Sequence, residues 1–354
     1  MKTTYIIYAI AAIVLAALCS ITVVVSQNAV SERAAPDLVV IDTDAGSDDA
    51  VAIFYLLRAE KNSADQDVTK GVKILGITCV QGNTLVDNVV LNVLKVLNTV
   101  DRLDVPVYRG AEKSLTITPP SDNYYGMDGM GDVPSSFVPD PALLKTEHAV
   151  TALLRIVNEN PGQVTLLALG PLTNVALAAR LDSGFLKKLK KLIILGGSIA
   201  GKGNVKPGVE FNFSVDPEAV HIVFNGTDTN PNCISLLPWE AILNAKITWA
   251  WRKNVLGALQ SPEVQFINAI EHIEDQPDEE LWHPADPMVT AVFLEEALIV
   301  GKMENYAITS IMTGPTRGGI AVDYDNTLDS ETKAGVILDF NAKEFQDSLM
   351  KHFD

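Results

Sequence analysis

Four carboxylates crowd the stretch Asp42-Thr43-Asp44-Ala45-Gly46-Ser47-Asp48-Asp49. The apolar run Leu38 to Ile41 predicts a buried strand that Gly46 breaks. A helix is expected from Asp48 or Asp49, because Ala50, Ile53, Phe54 and Leu57 recur at helical spacing. The acids therefore share one strand-to-helix turn. In an open α/β sheet that turn lies at the carboxyl edge, where ligands bind. One or two Asp residues before a helix cap its free N–H groups. Four repel one another and call for a neutraliser. A hard divalent cation such as Ca²⁺ suits an irregular, oxygen-rich shell of this kind.

Strands and helices must alternate to present that turn. Strands are expected at Val72–Thr78, Val105–Tyr108, Val164–Leu169, Lys191–Leu195, Cys233–Leu237, Ala307–Met312 and Gly335–Phe340. Helices are expected at Thr84–Val100, Thr146–Glu159, Leu172–Leu181, Pro217–Phe224, Asn244–Leu259, Pro262–Glu274, Pro287–Glu296 and Ala342–His352. The alternation predicts one α/β domain over residues 36–354, an open, mainly parallel sheet with helices on both faces. Two irregular stretches interrupt it, Ala111–Pro141 and Gly196–Ser214. Long loops inside a compact domain usually carry function. There is no internal repeat and no low-complexity segment.

The motif Asp42-Thr43-Asp44-Ala45-Gly46-Ser47-Asp48-Asp49-Ala50 resembles the N-terminal signature of the nucleoside hydrolases, the inosine-uridine-preferring N-ribohydrolase family. The resemblance runs on through Val80-Gln81-Gly82-Asn83, Gly170-Pro171-Leu172-Thr173-Asn174, Leu195-Gly196-Gly197, Glu210-Phe211-Asn212 with Asp216-Pro217-Glu218-Ala219, and Asp286-Pro287. It implies Ca²⁺-dependent hydrolysis of the N-glycosidic bond of ribonucleosides. It assigns the metal to Asp44, Asp49, the backbone carbonyl of Leu169 and Asp286, with Asp44 also the general base. It assigns ribose contacts to Asp48, Asn83, Asn204, Glu210 and Asn212. Tyr125, in the Gly-rich segment Tyr124–Gly131, matches an aromatic position of the family's mobile loop. No role falls to Asn174.

The chain departs from the family at the leaving group. Some members place His, others Trp, immediately before the last ligand Asp, where this chain has Ala285. A purine leaves more readily without a placed acid, because N7 is basic. Purine nucleosides are therefore the expected substrates. His283 and Trp282 are the nearby candidates for leaving-group contacts, the first as a donor and the second as a stacking surface.

Composition agrees with a small neutral substrate. The formal net charge of −17 argues against nucleic-acid binding, which rests on cationic neutralisation of phosphates. It leaves a homo-oligomer open. Lys2 precedes an apolar stretch from Tyr5 to about Val25, followed by small residues and Gln27. Residues 1–27 read as a signal peptide cleaved somewhere between Cys19 and Ala35, which implies a secreted protein; an uncleaved anchor is the alternative. Cys79 and Cys233 allow one disulfide, and Asn225 is the plausible glycosylation acceptor. Two other readings compete. An aspartate phosphotransferase also opens with a strand and Asp-x-Asp, but it wants Thr or Val where this chain has Gly46. A nucleoside-binding protein without catalysis sits uneasily with Asp44 and Asp49 both in place.

Overall fold

The computed structural model describes residues 34–65, 70–225, 233–327 and 333–354. The expected leader, its cleavage site and Cys19 lie outside the described residues. Among the described residues, no helix is long and apolar enough to cross a membrane. The first half of the chain comprises β1 (Ala34–Thr43), α1 (Ser47–Asp65), β2 (Lys70–Cys79), α2 (Val86–Thr99), β3 (Val107–Arg109), β4 (Leu144–Lys145), α3 (Ala149–Glu159), β5 (Val164–Ala168) and α4 (Thr173–Leu181). Then follow β6 (Lys191–Leu195), α5 (Phe211–Val215), α6 (Pro217–Asn225), β7 (Ile234–Leu237) and α7 (Trp239–Ala245). The last part holds α8 (Pro262–Ile270), α9 (Ala285–Ile299), β8 (Val300–Tyr306), β9 (Ile308–Ser310), β10 (Ile320–Val322), β11 (Ala334–Phe340) and α10 (Ala342–Phe353).

Nine strands form one sheet in the order β4-β3-β2-β1-β5-β6-β7-β11-β8. Every neighbouring pair is parallel except β11 with β8. From β1 the chain winds outward to β2 in one direction and later to β5 in the other. That reversal opens a crevice at the carboxyl ends of β1 and β5, the usual ligand position in such sheets. Alternate residues feed two cores, as the strand period of two requires. Val39, Ile41 and Leu167 pack under α1, α2 and α9, while Val40, Leu166 and Ala168 pack under α3, α4 and α6. Helices thus cover both faces, as expected for the fold class.

The differences from expectation have local causes. The helix expected over Asn244–Leu259 is broken, because Lys246 adopts a left-handed conformation (φ 50°) and ends α7. A new turn starts at Trp249, where the Thr248 hydroxyl accepts from the Trp251 N–H. The strand expected over Ala307–Met312 is shorter than expected, and a further strand precedes it. What remains, β9, pairs with β10 in a separate two-stranded sheet, while β8 ahead of it closes the main sheet antiparallel. β8 escaped notice because it is an edge strand, largely exposed and charged. Cys79 and Cys233 are buried free thiols.

Candidate active site

The turn after β1 is held by its own backbone and two glycines. Ala45 takes φ 38°, a conformation that L-residues rarely adopt, and the Asn92 side-chain amide donates to its carbonyl at 3.2 Å. The Asp44 carboxylate lies between Gly82 and Gly170. A Cβ at Gly82 would come within 2.0 Å of Asp44 Oδ2, and one at Gly170 within 2.8 Å of Oδ1. Asp44 Oδ2 accepts from the Asn83 backbone N–H at 2.8 Å. Asp49 accepts from the Gly46 N–H at 2.7 Å and from the Thr43 hydroxyl. The Gly46 bond reaches back from inside the first turn of α1 to the residue before it, whereas the expected cap was an Asp ahead of the helix. Behind the turn, Asp42 Oδ1 accepts from Thr78 Oγ1 at 2.5 Å and from Asn174 Nδ2 at 2.8 Å.

The first turn of α9 delivers Asp286 to the same place. Single oxygens of Asp48, Asp49 and Asp286 lie within 4.8 Å of one another. Asp48 Oδ1 and Asp286 Oδ1 are buried without a hydrogen-bond partner. Orphaned, mutually repelling carboxylate oxygens are what a hard cation would satisfy, so the donor set fits the group. Burial, and then the Asp49 charge, pushes the Asp48 carboxyl up to about 7. Burial first and neighbouring Asp charges second push Asp44 and Asp286 well above the usual carboxylate range. Asp49 is raised by burial, and Asp42 is raised by burial to about 7.

One cavity collects most of the expected residues. Asp44, Asp48, Asn83, Tyr125, Leu169, Asn204, Glu210, Asn212, His283 and Asp286 all line it. Asp49 lies behind the wall, fully buried, and the tightest oxygen cluster includes Asp48 rather than Asp44. The Leu169 carbonyl accepts from Asn212 Nδ2 at 2.6 Å. Glu210 does two jobs at once. It caps α5, accepting from the Asn212 and Phe213 N–H groups, and also receives the Gly197 N–H at 2.9 Å. Burial nevertheless raises it to about 7. The irregular stretch Gly196–Ser214 thus conceals a short helix that Glu210 starts. The other irregular stretch carries Tyr124 and Tyr125 to the cavity, where Tyr125 partly offsets the effect of burial on the Asp48 carboxyl.

Trp282 is misplaced by the sequence reading. Its indole is buried, its Nε1 donates to Glu271 Oε1 at 2.9 Å, and Trp249, Trp251 and Arg252 pack around it. It does not line the carboxylate cavity. Trp239 does, at the start of α7 directly after β7. Its position at a strand's carboxyl end was the signal available beforehand. Asn174 was likewise passed over. Besides Asp42 it bridges the Cys79 carbonyl at 3.0 Å and the Ala111 N–H at 2.9 Å.

The fold and this carboxylate-lined crevice define an α/β protein with an all-oxygen site at the sheet's carboxyl edge. Residues 39–347 match the family model "Inosine-uridine preferring nucleoside hydrolase", and the chain belongs to that metal-dependent family. It is 38% identical over 204 residues to a probable uridine nucleosidase of Oryza sativa subsp. japonica, a match covering 56% of this chain and 59% of that protein. The chain thus spans under two thirds of the curated relatives it matches. Two solved structures are similar over more of their length. A plant nucleoside hydrolase is 27% identical with a TM-score of 0.77, covering 90% of this chain and 99% of that one. An inosine-guanosine nucleoside hydrolase is 29% identical with a TM-score of 0.78, covering 89% and 98%.

Proposed function

We propose that the protein hydrolyses the N-glycosidic bond of ribonucleosides to ribose and free base. The observation that carries this is one cavity whose floor is acidic, through Asp44, Asp48 and Asp286, and whose side bears ribose-sized polar groups, through Asn83, Asn204, Glu210 and Asn212. Asp44 accepts the proton of the attacking water; the Asn83 N–H fixes its orientation. Asp48, Asn204 and Glu210 meet the sugar hydroxyls. Asn212 donates to the Leu169 carbonyl at 2.6 Å and fixes it at the cavity. A divalent cation, which we take to be Ca²⁺, would be held by Asp44, Asp49, Asp286 and the Leu169 carbonyl. When bound it supplies the positive charge that ionises these carboxylates and acidifies a water.

The finer reading is a preference for purine nucleosides. Ala285 supports it, since no proton donor stands immediately before Asp286. The uridine nucleosidase name of the Oryza relative favours a pyrimidine instead, and the inosine-guanosine name of one solved structure favours a purine. Chromatography of reaction products tests the activity: free base and ribose support it, and recovered intact nucleoside removes it. Comparable kcat/KM for inosine and uridine would remove the purine preference. We also infer secretion from residues 1–27. Active protein in the medium of a secreting host, starting between Cys19 and Ala35, is expected; an intact Met1 in the membrane pellet contradicts it.

A further inference from the structure

The sequence reading offers the nucleobase His283 as a donor and Trp282 as a stacking surface, but Trp282 is buried away from the cavity, so the base is left without its expected stacking partner. One feature of the cavity is used by neither the acidic residues nor the sugar-binding ones. Trp239 and His283 line it together, with ring centroids 5.4 Å apart and planes inclined at 51°. They come from distant segments, Trp239 from the head of α7 and His283 from the turn that leads into α9. Each is fixed by its backbone. The Trp239 N–H donates to the Gly197 carbonyl at 2.9 Å, and the His283 carbonyl accepts from the Ala285 N–H at 2.9 Å. His283 Nε2 is buried and has no hydrogen-bond partner. A buried imidazole nitrogen without a partner is costly, and it is explained if a ligand supplies the partner. Of the four tryptophans, Trp239 alone lines this cavity.

Resting on the nucleosidase reading, we propose that Trp239 and His283 form the nucleobase wall. The indole is the flat surface against which the base lies. The imidazole N–H donates a hydrogen bond to a base nitrogen or oxygen as the glycosidic bond breaks. In that step the C1′–N bond cleaves and its electron pair stays with the base. The water oxygen forms the new bond to C1′, and its proton goes to Asp44. The base, leaving with negative charge, is met by the His283 N–H and takes its final proton from solvent. Burial lowers the His283 pKa, so the ring is neutral near pH 7 and offers one N–H and one lone pair. It is thereby suited to hydrogen bonding rather than to a fixed positive charge beside the base.

The experiment compares two substrates that share a ribose. Inosine leaves as a base that needs a hydrogen bond; 4-nitrophenyl β-D-ribofuranoside leaves as a phenolate that is stable without one. In His283→Ala the ratio of kcat/KM for inosine to that for the nitrophenyl riboside should fall by about 10²–10³, the range for removing one donor aimed at transition-state charge. His283→Phe, which keeps a ring but has no N–H, serves as the second variant should the first fail to fold. Trp239→Ala should weaken inhibition by free hypoxanthine about tenfold or more, the size of one base–aromatic stack. Its inhibition by ribose reports whether the sugar side is still formed. Trp239→Leu repeats the measurement with the wall filled. An unaltered substrate ratio in both His283 variants, or unaltered hypoxanthine inhibition in both Trp239 variants, overturns the proposal. A wild-type protein that hydrolyses neither inosine, uridine nor the nitrophenyl riboside overturns the nucleosidase reading instead.

Discussion

The acidic floor and the base-facing wall of the cavity are built in opposite ways. The floor is one stretch of chain, Asp42–Asp49, joined by Asp286 from α9. Its residues are neighbours in sequence because a strand-to-helix turn makes them neighbours in space. The wall comes from three remote places, Tyr125 in a loop, Trp239 after β7 and His283 before α9. Nothing in the spacing of these residues announces that they meet. The floor also stores cost in buried charge, while the wall stores a single orphaned nitrogen. The comparison teaches that a cluster of like charges, which needs a neutraliser, is visible in one stretch of sequence, whereas a surface for a flat aromatic ligand is assembled by the fold.

The largest effect should separate the two regions by rate. Asp44→Asn keeps the size of the side chain but removes the proton acceptor, and kcat should fall by about 10²–10⁴. Asp42→Asn should cost much less, because Asp42 lies behind the turn on Thr78 and Asn174. Near-normal turnover in Asp44→Asn would break the assignment of the floor as catalytic. Next comes Trp282, which looks like part of the wall in sequence but is core in space. Trp282→Ala should destabilise the protein by about 3–5 kcal/mol, as loss of a buried large aromatic does. Trp239 is only half-buried, so Trp239→Ala should lower stability less and base affinity more. Equal denaturation midpoints for the two variants would erase the distinction.

These contrasts show where the sequence was readable. The alternating strands and helices carried the sheet and both helical layers, because strand and helix periodicities report burial directly. The carboxylate turn was readable for the same reason as the floor is compact. Side-chain direction was not readable. Trp282 stands four residues before Asp286, yet its indole turns away to Glu271. The break at Lys246 was hidden too, since a left-handed Lys carries no signal comparable to Gly. Glu210 was legible as a site residue, but its capping of α5 was masked by the glycines around it.

The floor should also respond to pH in a way the wall does not. Asp42 and Asp48 in the floor, and Glu210 on the sugar side beside it, each sit near 7 when folded, chiefly through burial. Their unfolded values are about 4. Between those values the folded protein holds more protons than the unfolded chain, so stability falls as pH rises through the window. The melting temperature of chelated protein should therefore drop between about pH 5 and pH 8, with activity lost throughout. On the proposed reading, added Ca²⁺ should flatten that slope and raise the midpoint, as any ligand that binds only the folded state does. Chelated protein that grows more stable over the same range, or retains full activity, would contradict both the burial argument and the cation.

The smallest effect tests how the floor is held from behind. Asn174 spends one amide on three segments: its N–H₂ reaches Asp42 on β1 and the Cys79 carbonyl at the end of β2, and its oxygen takes the Ala111 N–H in the following loop. It is fully buried, so no water replaces these bonds. Asn174→Ala should cost about 1–3 kcal/mol, the range for leaving buried polar groups unsatisfied. Turnover should change far less than in Asp44→Asn, because Asn174 does not line the cavity. Combining Asn174→Ala with Asp42→Asn sharpens the point. The two side chains share one hydrogen bond, so their effects on stability should not add. Simple additivity in denaturant melts would mean that Asp42 rests on Thr78 alone. A control at the exposed Lys343–Asp347 pair should shift the midpoint by at most about 1 kcal/mol. If the Asn174 variant falls within that control's range, the floor is rigid through its backbone and glycines, and the amide bridge is redundant.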